Sequence, residues 1–131
     1  MERFANCDPV IMIDYIESIT GPIPHFEIIF ETADKKKYKL IFECVWDMRY
    51  SIENASLIRF DGFRKYTPDD VRVKDSSIFI VEDSEYIKYF EHQVDSTRPI
   101  DELTHYIVID SIDTILDILA WRHKPVLVPI S

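Results

Sequence analysis

Between Tyr38 and Ile52 the chain alternates. Tyr38, Leu40, Phe42, Cys44, Trp46, Met48, Tyr50 and Ile52 share one parity, and Lys39, Ile41, Glu43, Val45, Asp47, Arg49 and Ser51 share the other. Successive side chains of a strand point to opposite faces of a sheet, so a period of two reads as a half-buried strand with one apolar face. Fifteen residues at about 3.3 Å each would reach roughly 50 Å, well past an ordinary strand. The spacing therefore predicts a bend, bulge or break near Trp46 to Met48.

The flanks extend this β framework. Met1 to Pro9 reads as a loosely held start, and Val10 to Ile16 as a strand on its β-branched and aromatic content. Thr20-Gly21-Pro22-Ile23-Pro24 breaks the chain, because proline cannot donate to a ladder. Alternation resumes from His25 to Thr32 with Phe26, Ile28 and Phe30 on one face. A hairpin loop at Asp34-Lys35-Lys36 would set Phe30 opposite Leu40, Ile28 opposite Phe42 and Glu31 opposite Lys39. That register also sets Glu27 against Glu43, a like-charge pair that invites a cation.

Beyond Tyr50 the chain is expected to turn and return as a strand before Asp61-Gly62, with a loop at Thr67-Pro68-Asp69-Asp70 and an extended piece from Val71 to Lys74. Ser77 to Val81 reads as an interior strand. Ser84 is an N-cap for a helix reaching Asp95, with Ile87, Phe90 and Val94 on one stripe. His105 to Ile109 reads as a strand, and Val126 to Ile130 as a final short strand or an extended tail. Residues 112–121 carry both helix signals and the pattern of a hairpin's return strand, and the strand is preferred.

Composition bounds the rest. A chain of 131 residues, 47% apolar, 30% charged and 13% aromatic, is long enough to bury a core without disulfides or metal. One domain over residues 1–131 is the simplest account. Two glycines leave little room for glycine-rich phosphate loops or for positive-φ turns. Cys7 and Cys44 lack ligand spacing, and Cys44 is expected to be a small buried hydrophobe. No signal peptide or bilayer-length apolar run is present, which leads to a cytoplasmic expectation without membrane association. The net charge is −9. Ten acids against Lys88 and Arg98 give the segment from Glu82 to Asp117 eight of those nine charges. Such a field repels nucleic acid and speeds encounter with a basic protein.

Chemistry-bearing motifs are scarce. GxSxG, HExxH, CxxC and a phosphate loop are all missing, so no catalytic, cofactor or metal residues are assigned. His25, His92, His105 and His123 share no helical spacing. Trp46-Asp47-Met48-Arg49-Tyr50 with Glu53 puts Asp47 and Arg49 on one strand face beside residue types that anchor protein contacts, although aromatics also simply fill cores. Asp113 and Asp117 share a helical face with Asp110 close by, and surface solubility is the ordinary explanation for such acids. The partner-contact candidates are accordingly Trp46, Asp47, Arg49, Glu53, Glu82, Asp83, Glu85, Asp110, Asp113 and Asp117.

Val45 to Asn54, Glu82 to Ile87, His105 to Ile109 and Asp113 to Leu119 together resemble small cytosolic proteins of Gram-positive bacteria, some of which resemble toxin-immunity proteins. The resemblance implies a β return after the His105 strand and no catalytic residues. The expectation is an α+β domain, with a mainly antiparallel sheet of five to seven strands and one or two helices packed on one face. Its expected function is non-catalytic protein binding, as an immunity protein neutralising a basic toxin domain. The alternatives are a small-ligand binder or enzyme with a polar pocket around His105, and a homo-oligomeric structural protein paired through an edge strand.

Overall fold

A computed structural model describes residues 3–8, 10–21, 23–52, 76–91, 102–110 and 114–130. The alternating stretch is two strands, β4 (Lys37–Phe42) and β5 (Val45–Ile52), and they belong to different sheets. The break comes at Glu43-Cys44, where Cys44 takes φ 53°. The crossing is fixed from both sides: Val45 N–H donates to Pro24 O (2.9 Å) and Trp121 N–H donates to Cys44 O (3.0 Å). Immediately after it the register shifts between Val45 and Asp47, which makes Trp46 the extra residue of a bulge. Break and bulge replace the single long strand, and Val45, on the polar parity of the sequence, turns inward and is buried.

The first strands are β1 (Arg3–Asn6), β2 (Tyr15–Thr20) and β3 (Phe26–Glu31). After β4 and β5 come β6 (Ile78–Glu82), helix α1 (Glu85–Glu91), β7 (Leu103–Ile109), β8 (Thr114–Trp121) and β9 (Val126–Pro129). Among the described residues one sheet runs β1-β6-β7-β8-β5 and the other β2-β3-β4-β9, with every pairing antiparallel. The antiparallel expectation holds, but there are two sheets rather than one, because a period of two fixes a strand's buried face without saying which sheet it joins.

Alternation builds the core. Phe26, Ile28, Phe30, Leu40 and Phe42 of the four-stranded sheet meet Ile78, Tyr106, Val108, Leu116, Ile118 and Ala120 of the five-stranded one in a single buried cluster. Phe42 stacks on Phe26 (5.5 Å) and meets Tyr106 edge-on across the sheets (5.6 Å). The five-stranded sheet is apolar on its other face as well, where Phe4, Phe79, Val81, Ile107 and Ile115 form a second cluster. Strand β8, interior to its sheet, is thus buried nearly end to end.

Several local expectations shift. The β3–β4 loop is Ala33-Asp34-Lys35, closed by Thr32 N–H to Lys36 O and Lys35 N–H to Thr32 O (both 2.9 Å). Moving the loop by one residue moves each partner by two, so Phe30 faces Tyr38, Ile28 faces Leu40 and Glu27 faces Ile41, all with their faces preserved. Lys35, Cys44, Asp83 and Arg122 adopt positive φ without being glycine, so the scarcity of glycine did not exclude such turns. Residues 3–6 form a strand where a loose start is expected. Val10 to Ile13 is no strand: Ser77 N–H donates to Ile11 O and Ile13 N–H to Ser77 Oγ (2.8 Å each), so this piece straps the two sheets together instead. The return strand before Asp61, the piece at 71–74 and the helix beyond Glu91 lie outside the described residues.

Phe42, fully buried, and Tyr50, 58% exposed, sit at similar positions in the alternating pattern and differ entirely in environment. Phe42→Ala is expected to cost about 3–5 kcal/mol in urea unfolding, and Tyr50→Ala under about 0.5 kcal/mol. Equal losses at the two positions would contradict the two-sheet packing.

Candidate functional site

The outer face of the five-stranded sheet holds a polar chain beneath α1. In β7 and β8, His105 and Asp117 each stand alone among apolar residues and are each 1% exposed. His105 is paired with Leu119, and its Nε2 reaches diagonally to Asp117 Oδ1 at 2.6 Å. Ser84 lies where β6 hands over to α1, after Asp83 has turned the chain at φ 56°. Its Oγ lies 2.6 Å from His105 Nδ1 and accepts the Ile87 N–H at 3.1 Å. Ser84 is therefore the N-cap expected from the sequence, with a second duty.

Donor–acceptor matching assigns the protons. An ionised Asp117 only accepts, so Nε2 carries hydrogen. In a neutral ring Nδ1 is left to accept from the Ser84 hydroxyl, whose oxygen in turn accepts from Ile87 N–H. Every donor and acceptor in this chain is matched, as burial demands.

Tyr86 roofs the chain. It is 3% exposed, meets His105 edge-on (5.3 Å) and donates its hydroxyl to Asp47 Oδ2 at 2.6 Å. Burial, and then that hydrogen bond, pushes the phenol well above its usual range. Arg49 lies over the ring, with its guanidinium carbon 3.6 Å from the centroid. The bulge also swings Trp46 to this side, where it stacks on Trp121 (6.1 Å) and touches Phe90 of α1 (6.3 Å).

The partner-contact candidates separate. Asp47 and Arg49 meet Tyr86 directly, buried Asp117 is joined to it through His105, and Trp46 packs by Phe90 of the same helix, with Arg49 exposed. Glu82, Asp83 and Glu85 gather outside, at the β6–α1 junction. Glu82 pairs with Arg3 (3.4 Å), and Lys88 reaches Asp83 (2.8 Å) and Glu85 (3.4 Å). Lys88 holds the Asp83 carboxyl down at about 2. Asp110 is at the opposite end of β7, where it accepts Thr114 N–H (2.9 Å) and Ile16 N–H of the other sheet (3.3 Å), a structural tie. Glu53 and Asp113 lie outside the described residues. Ser84 was legible only as a cap, Asp117 as a partner-contact candidate and His105 as the centre of a possible polar pocket; that the three form one chain was not legible.

A second polar group lies on the four-stranded sheet. His25 bridges Glu43 (Nδ1 to Oε1, 2.6 Å) and Glu27 (Nε2 to Oε1, 3.3 Å), the place where two like charges invited a cation. Among the described residues no group of three histidines, cysteines or acids is arranged to hold a metal. Both cysteines are free, with Cys7 buried and Cys44 half-buried. Burial, reinforced by Asp8, raises the Cys7 thiol to about 11. No helix among the described residues is long and apolar enough to cross a membrane. No protein-family model matches the chain, and neither a curated protein nor a solved structure is significantly similar to it.

If Ser84 and Asp117 act through one ring, their removal is not additive. Ser84→Ala and Asp117→Ala are each expected to cost about 1–3 kcal/mol in urea unfolding, and the double variant less than their sum. Strict additivity would break the chain into separate contacts.

Hydrogen bonds to Glu27 and then Glu43 raise the His25 pKa, and the bond from His25 lowers that of Glu27. A raised histidine stabilises fully below about 6.5 and loses that contribution as pH climbs through its folded value, whereas the lowered Glu27 contributes above about 4.5. The gap in urea midpoint between the wild type and His25→Asn should therefore be widest near pH ~5.5 and close by pH ~8. A gap that widens toward alkaline pH would reverse the assignment.

Proposed function

We propose that this chain is a protein-binding module without chemistry of its own, acting on a basic partner. The immunity-type role, steric blockade of a basic toxin domain, is the specific form of that reading. One observation carries it. The arrangement best suited to chemistry faces inward and is consumed in holding α1 to the sheet, while Glu82, Asp83 and Glu85 face solvent on a chain of net charge −9. Such a field accelerates encounter with a cationic surface, and aromatic and arginine side chains close the contact.

Edge pairing into a homo-oligomer gains no support from the four-stranded sheet. Ile130 N–H donates to Lys37 O (3.1 Å), so residues 126, 128 and 130 turn their backbone groups toward β4 and residues 125, 127 and 129 turn theirs outward. Pro125 and Pro129 lack an N–H, which leaves Leu127 as the outward donor of β9. At the other edge, β2 is bulged between Ile16 and Ser18.

A second reading is favoured by the two 2.6 Å contacts of His105, since serine, histidine and carboxylate in series also make an acyl-transfer relay. A fluorophosphonate probe separates the two. With the hydroxyl engaged by His105 and by Ile87, Ser84 is expected to stay unlabelled in the folded protein at pH ~8. Labelling of Ser84 that His105→Ala abolishes would establish the relay and sink the non-catalytic reading.

The binding reading is tested on the partner retained from its native host. Association should slow steeply from ~0.05 to ~0.5 M salt, and the triple variant E82Q/D83N/E85Q should associate more slowly at low salt with little change in dissociation. A flat salt profile would remove the electrostatic role.

A further inference from the structure

Each sheet has two edges, and three of the four are blunted. β9 is flanked by Pro125 and contains Pro129, β2 is bulged, and β1 is four residues long. β5 is different. It has eight residues without a proline, and among the described residues no strand pairs with its outer side.

The ladder shows which residues β5 offers there. Asp110 N–H donates to Thr114 O and Trp121 N–H to Cys44 O, so even-numbered residues of β8 turn their backbone groups toward β7 and odd-numbered ones toward β5. Asp47, Arg49 and Ser51, opposite Leu119, Asp117 and Ile115, therefore bond inward. Met48, Tyr50 and Ile52 turn their N–H and C=O outward, and the Tyr50 side chain is 58% exposed.

The side chains indicate the occupant. Asp47 and Arg49 lie on the α1 face of this strand, one bonded to the Tyr86 hydroxyl (2.6 Å) and the other stacked on the Tyr86 ring and exposed. Together they carry no net charge, so they select neither an anion nor a cation. A neutral pair in the order minus, plus fits its own inversion, which a two-fold axis supplies. With the axis at Met48, the two Met48 residues form a hydrogen-bonded pair. Asp47 of each copy then faces Arg49 of the other in the flanking non-hydrogen-bonded pairs, where side chains approach most closely. Moving the axis to Tyr50 keeps the outward backbone groups matched but sets Arg49 against Ser51 and removes both ion pairs.

We propose that β5 pairs antiparallel with β5 of a second copy of this chain about a two-fold axis at Met48, joining two five-stranded sheets into one. The bulge at Trp46 ends the regular ladder on one side, so the pairing is short and the dimer weak, with a Kd on the order of 10–100 µM. The dimer does not rest on the binding reading above, which concerns a different partner.

Sedimentation equilibrium of the full chain from ~5 to ~500 µM tests the pairing, with urea unfolding of each variant as the check on folding. The wild type should pass from monomer to dimer across that range. Tyr50→Pro removes an outward N–H and no inward one, and is expected to weaken the dimer at least ~10-fold. Asp47→Arg and Arg49→Glu should each be monomeric alone, because each sets like charges face to face. An equimolar mixture of the two should dimerise, because the mixed pair restores opposite charges at both contacts. A wild type that stays monomeric at ~500 µM, a dimer that survives Tyr50→Pro, or a mixture of folded variants that stays monomeric would each overturn the pairing. The wild-type and Tyr50→Pro arms decide the edge even where loss of the Tyr86 contact unfolds Asp47→Arg.

Discussion

Everything in this molecule follows from the chain changing sheets at Glu43-Cys44. Up to Phe42 the alternating residues cover one side of the core, and from Val45 onward they cover the other. A continuous strand of that length would have carried half its apolar face past the edge of any partner sheet. Folding it across converts one overlong amphipathic strand into two opposed walls, and the left-handed Cys44 with its two backbone hydrogen bonds holds the corner. The bulge at Trp46 has the complementary effect: it restores the register against β8 while moving an indole from the side facing the other sheet to the side facing α1.

That outer side is built on a different principle. An apolar residue of similar volume in place of His105 or Asp117 would satisfy burial without desolvating a charge, and buried ionic groups seldom add net stability over such replacements. What the polar chain adds is position. The described part of helix α1 spans seven residues, and Tyr86 is its buried side chain. Apolar contact alone is non-directional and would let these turns slide over the sheet. A directional series from Ile87 through Ser84 and His105 to Asp117 admits one placement, and Tyr86 bonded to Asp47 fixes the rotation about the helix axis.

Which features were legible in the sequence follows from the range over which each is determined. The strands at β3, β6 and β7, and the Ser84 cap, are set by neighbours within a few residues, and periodicity or capping finds them; β8 carried helix and strand signals alike, and β9 read equally as a strand or an extended tail. β2 escaped because it is a bulged edge strand whose burial does not alternate, and β1 because four residues are too few to show a period. Val10 to Ile16 misled because β-branched composition reports a preference for extended backbone, not what that backbone bonds to. His105 and Asp117 were each visible as a polar interruption of an apolar strand. Their meeting depends on the β7–β8 register, and composition does not set a register.

The same separation of ranges bears on function. Acids clustered in sequence from Glu82 to Asp117 suggested one negative face, but folding disperses them: three at the β6–α1 junction, Asp110 as a tie to the other sheet, Asp117 sealed under Tyr86. The junction acids are moreover partly balanced by Arg3 and Lys88. Under the proposed binding reading, electrostatic attraction would therefore act through the charge of the whole chain, setting how fast a basic partner arrives rather than where it docks.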